Sequence, residues 1–144
     1  MILSEIKELY DSYISSVRKA QQDMKPSDGL FGIGRKLSDD PCHDDFAEKL
    51  ERMLSDHAAG SPEPSEVREV LGYIYDIPKE YERNDSVCLM LTAVHGFTTE
   101  LAAYLSADDA AELLERYKEN YPKNKRLPVQ KKLIKVLEKA ANKT

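Results

Sequence analysis

Apolar residues recur along this chain at steps of three and four for most of its length, and no run alternates as a strand would. The first such stretch predicts a helix over residues 3–23, with Ser4 as its cap and Ile6, Leu9, Tyr10, Tyr13, Ile14 and Val17 along one face. Lys25-Pro26 ends it, because a proline pushes the residue before it out of the helical region. Residues 25–40 read as a glycine-containing loop with Gly29, Gly32 and Gly34, yet they also hold Leu30, Phe31, Ile33 and Leu37, which a merely solvated loop would not need. Asp40-Pro41 opens a second helix, since Asp supplies a capping oxygen and proline loses nothing at the first helical position. Phe46, Leu50, Met53 and Leu54 form its stripe, and Gly60 stops it. After the stiff connector Ser61-Pro62-Glu63-Pro64, a short third helix carries Val67, Val70, Leu71 and Ile74 and is expected to end before Pro78.

Residues 87–105 break the amphipathic pattern. Val87, Cys88, Leu89, Met90, Leu91, Ala93 and Val94 are apolar nearly all round, which predicts a buried central helix. Val87, Leu89, Met90, Leu91 and Val94 are expected among the best-buried residues, and Gly96 is a point where the helix can kink or divide. Ser106 with Asp109 three residues on resembles a capping box, and the helix behind it carries Ala110, Leu113, Leu114, Tyr117 and Tyr121 as far as Pro122. A last helix from about Pro128 carries Val129, Leu133, Val136, Leu137 and Ala140. The expectation is an all-α fold: one compact domain over residues 1–144, with about six antiparallel helices in a bundle or short superhelical stack around the 87–105 helix.

Composition agrees with this picture and narrows the setting. Apolar residues make up 41% and charged residues 33% of the 144, a globular balance in a chain long enough to bury a core without staples. Two cysteines, Cys42 and Cys88, are too few for a disulfide scaffold. Charge interrupts the apolar residues of the first ten positions, and no stretch elsewhere reaches 18 apolar residues, so neither a signal peptide nor a membrane span is expected. A cytoplasmic protein with reduced thiols and no membrane partner is the resulting expectation.

Charge changes the picture more. Residues 123–144 hold eight basic side chains against Glu138 alone, a segment net of +7 that leaves −12 for residues 1–122 of a chain carrying −5 overall. This basic C-terminal segment meets either the protein's own acidic body or an anionic partner. Lys132, Lys135 and Lys139 fall at three- and four-residue steps and share a helix face, which makes them a candidate interaction stripe. The segment lacks the interleaved aromatics of nucleic-acid binders, so the expected partner is a protein or a second copy of the chain.

Candidate chemistry concentrates at Arg35–His43. Asp39, Asp40, Cys42 and His43 are residue types that metals use, but neighbours on a helix point about 100° apart, so Cys42 and His43 cannot grip one ion unaided. The simpler reading is that the aspartates favour a helix N-terminus. Gly29 to Lys36 echoes a phosphate loop only superficially, because Arg35 stands where lysine belongs and Lys36 where a hydroxyl residue belongs. Two cations before a helix N-terminus could still meet an anion. His95 reads as a core histidine bonded to a carbonyl. No catalytic constellation emerges and no cofactor is implied. The sequence points to a non-enzymatic interaction or regulatory module, with a small-ligand or metal site at Arg35, Lys36, Asp39, Asp40, Cys42 and His43 as the alternative.

Overall fold

The computed structural model describes residues 2–22, 41–82 and 86–142, and the side chains of these except 20–22, 41–44, 86 and 125. Among the described residues every regular element is a helix. Helix α1 spans Ile2–Gln22, α2 Pro41–Ala59 and α3 Pro64–Asp76. A 3-10 turn follows at Ile77–Glu80. Helix α4 spans Ser86–Ala93 and passes into a 3-10 segment, Val94–Thr98, and one α-turn, Thr99–Ala102. Helices α5, Ala107–Asn120, and α6, Pro128–Ala141, complete the fold.

Punctuation in the sequence sets most of these boundaries. Pro41, Pro64 and Pro128 each stand at the first position of a helix, where the missing N–H costs nothing. Ser106 accepts a hydrogen bond from the Asp109 N–H at 3.1 Å, while the Asp109 carboxylate turns to Arg68 instead of closing the box. Helix α6 uses the other half of that device: the Gln130 side chain reaches back to accept from the Leu127 N–H at 2.9 Å. Pro78 ends the α-helical hydrogen bonding of α3 as expected, but the chain continues through it as the 3-10 turn rather than leaving the helix.

Helices α1 and α2 pack as one pair and α5 and α6 as another, with α3 between them. At the α1–α2 contact, Tyr13 stacks on Phe46 at 4.4 Å, and Tyr10 meets the same ring edge-on at 4.9 Å. The 87–105 stretch is central as expected, and it divides around Gly96 into helix, 3-10 segment and α-turn. Val94–Thr98 touches α2, α3, α4 and α6, so the middle of the molecule is a 3-10 segment and not the apolar run. Val87, Leu91 and Val94 are fully buried, whereas Leu89 and Met90 are only half-buried and Ala93 is exposed. An eight-residue helix that is apolar all round still has one face turned away from its neighbours.

Gly96 explains how close that centre is. A methyl group added there would lie 3.0 Å from Val129 Cγ2, so the glycine lets α6 approach the 3-10 segment. Helix α6 buries Gln130, Leu133, Ile134, Leu137 and Ala140, while Val129 and Val136 remain half-buried. Its docked face is thus rotated toward Ile134 relative to the stripe expected from Val129 and Val136.

Candidate functional site

Only some of the predicted site residues fall among the described ones. Arg35, Lys36, Asp39 and Asp40 lie outside the described residues, as do the side chains of Cys42 and His43, which occupy the first turn of α2. Among the described residues no cluster of three or more histidine, cysteine or carboxylate side chains could hold a metal ion. Cys88 donates its thiol to the Pro78 carbonyl at 3.4 Å.

Lys132, Lys135 and Lys139 share one face of α6. All three are exposed on α6, on the side opposite the buried Leu133 and Leu137, with Lys131 beside them. None of them forms an ion pair among the described residues. Across the body Asp109 and Glu112 hold Arg68 and Asp76 holds Arg116, while Glu138, the carboxylate of the basic segment, meets Lys118 at 3.7 Å. The basic segment is therefore not folded against the acidic body through these lysines. Beside the stripe, Ala103, Val136, Ala140 and Lys139 border an open depression of about 340 Å³.

A second feature was not expected from the sequence. A cleft of about 340 Å³ opens between the 3-10 turn, α4 and the α5–α6 connection. Pro78, Tyr81, Leu89, Tyr121, Pro122 and Leu127 give it apolar walls. Lys79 stands at its rim, where Nζ donates to Asn120 Oδ1 at 2.8 Å. Half-buried Leu89 is the exposed side of the all-apolar α4, so that run of sequence marks a cleft wall as well as a core.

Next to this cleft lies a buried polar network. His95 Nε2 is 3.0 Å from the Ile74 carbonyl and must donate to it, so Nδ1 carries the lone pair that accepts from the Tyr117 hydroxyl at 2.8 Å. Burial pushes the His95 pKa down to about 4, with the carbonyl bond opposing that shift. Thr98 donates to the His95 carbonyl at 2.7 Å and accepts from the Tyr75 hydroxyl at 2.8 Å. Tyr121 donates to the Tyr75 carbonyl at 2.6 Å. Burial raises the pKa values of Tyr75, Tyr117 and Tyr121 well above the usual phenol value, so all three stay protonated near neutrality. Gln130 joins the network to the cleft: it is 2% exposed, borders both, and its Nε2, beside the Tyr117 phenol, closes no hydrogen bond of normal geometry among the described residues.

Comparison of the chain with protein-family models, with curated proteins and with solved structures finds no match.

Proposed function

We propose that this chain is a helical protein-interaction module whose stripe of Lys132, Lys135 and Lys139 grips an acidic protein surface. The observation that carries this reading is the unpaired state of the stripe: three exposed lysines on one face of α6, with no carboxylate partner among the described residues. Holding like charges in a row is unfavourable unless something negative meets them. The helix beneath is fixed by its buried apolar face, so the stripe is presented on a rigid support, which lowers the ordering cost of binding.

The partner is an acidic protein or the −12 body of a second copy. Reversal of all three lysines to glutamate decides it. Pull-downs and light scattering at low and high salt should show complexes that weaken as salt rises, because exposed charge is screened beyond roughly 8 Å at physiological ionic strength. The reversed variant should lose on the order of tenfold in affinity or more. Complexes indifferent to both salt and reversal would remove the stripe from the interface.

A further inference from the structure

We propose that the cleft beside Lys79 and Gln130 binds a small, mostly apolar carboxylic acid. Its volume, about 340 Å³, falls in the range of small-molecule sites, roughly 300–1,000 Å³. Chemistry rather than size selects the ligand. Most polar groups that border the cleft already spend their donors within the protein. Thr92 Oγ1 donates to the Cys88 carbonyl at 2.8 Å, Cys88 Sγ to the Pro78 carbonyl, Tyr121 to the Tyr75 carbonyl, and Asn120 Nδ2 to Asp76 Oδ1 at 3.3 Å.

Two donors remain. The first is Gln130 Nε2, in a side chain 2% exposed. Its identity as the amide nitrogen is secure, because the other terminal atom accepts from the Leu127 N–H and must be oxygen. The nitrogen lies beside the Tyr117 phenol without a bond of normal geometry, and a better-placed acceptor on a ligand would satisfy it. The second is Lys79, whose ammonium has three donors and gives one to Asn120. No carboxylate borders the cleft among the described residues, Asp76 lying behind it on Asn120, so Lys79 is the charge on its rim. A complementary molecule needs an apolar body against Leu89, Leu127 and the Tyr81 and Tyr121 rings, an acceptor for Gln130, and negative charge for Lys79. An amide meets the first two requirements, an acid meets all three, and an amine fails the last.

The test is an NMR titration of the full chain, ¹⁵N-labelled, with 3-phenylpropionate, 3-phenylpropionamide and 3-phenylpropylamine. The acid is expected to shift the backbone amides of Leu89, Thr92 and Leu127 and the side-chain NH₂ of Gln130. The amide should bind about threefold to fivefold more weakly, the value of one exposed charge contact, and the amine not at all. Lys79→Met should bring the acid down to the affinity of the amide at an unchanged melting midpoint. Leu89→Trp, which fills the cleft from a half-buried position, should abolish the shifts. If that variant does not fold, Lys79→Met decides alone, since Lys79 is exposed. The proposal fails if millimolar acid leaves these resonances in place, if the amine or amide matches the acid, or if Lys79→Met binds the acid unweakened.

Discussion

His95 sits with both ring nitrogens committed, one donating to the Ile74 carbonyl and the other accepting from Tyr117. Protonation would put a second N–H against the Tyr117 oxygen and a charge where the ring is 0% exposed, which is why its pKa falls from 6.5 to about 4. Between those values the native state binds fewer protons than the unfolded chain. Stability is therefore full above pH 6.5, declines as pH falls through the window, and flattens below about 4. From pH 7 to pH 5 the loss is expected to be about 2 kcal/mol, read as a drop in the urea midpoint. In His95→Gln the intrinsic stability is lower but the slope should flatten; an unchanged slope would assign the effect to other groups. The position of His95 after an apolar run was enough to foretell a core histidine bonded to a carbonyl. Its partners were not legible, because Ile74 and Tyr117 lie 21 and 22 residues away and no local pattern links them. Gln130 was missed for a different reason. A polar residue among the lysines of α6 carries no sign of burial until the docked face is known.

Helix α4 and its continuation show where pattern reading fails at the level of elements. All-round hydrophobicity predicts burial all round, yet it serves a core face at Val87 and Leu91 and a cleft wall at Leu89. The 3-10 segment left a faint trace in the sequence: its buried His95 and Thr98 stand three apart, the repeat of a 3-10 helix. Over so short a stretch that period cannot be told from 3.6. Leu91 belongs to the buried face, and Leu91→Ala should cost about 2–5 kcal/mol as a cavity forms, measured by chemical denaturation. Gly96 offers a sharper test of the α6 contact. Alanine would gain helical propensity but press on Val129 Cγ2 at 3.0 Å, and Val129 is β-branched and cannot swing aside cheaply. Gly96→Ala is expected to destabilise by about 1 kcal/mol in the wild-type background and to become neutral or stabilising in Val129→Ala. Additive effects of the two changes would mean that the pair is not in contact.

For the molecule as a whole, the order of helices was readable because prolines, glycines and caps punctuate it, and short connections leave little choice but neighbouring packing. What could not be read was which surfaces the packing leaves open, since that depends on contacts between elements distant in sequence. Helix α6 joins these two sides. Its sequence announced a basic stripe, and the fold adds that the opposite face closes the core over the 3-10 segment, the α-turn after it and α5. The two faces should therefore separate in experiment. Burial of Leu133, Ile134, Leu137 and Ala140 is worth roughly 1.5–3 kcal/mol for each larger side chain, a total comparable with the 5–15 kcal/mol that holds a typical domain. A chain ending before Leu127 should accordingly lose cooperative thermal unfolding, and circular dichroism should show reduced helicity beyond the loss of α6 itself. Reversal of Lys132, Lys135 and Lys139 removes only exposed charge, and its denaturation midpoint should stay within about 0.5 kcal/mol of wild type. A truncated chain that still unfolds cooperatively at the wild-type temperature would show that α6 is an appendage carrying the stripe. A reversed chain that unfolds would show that the lysines hold the fold rather than face a partner.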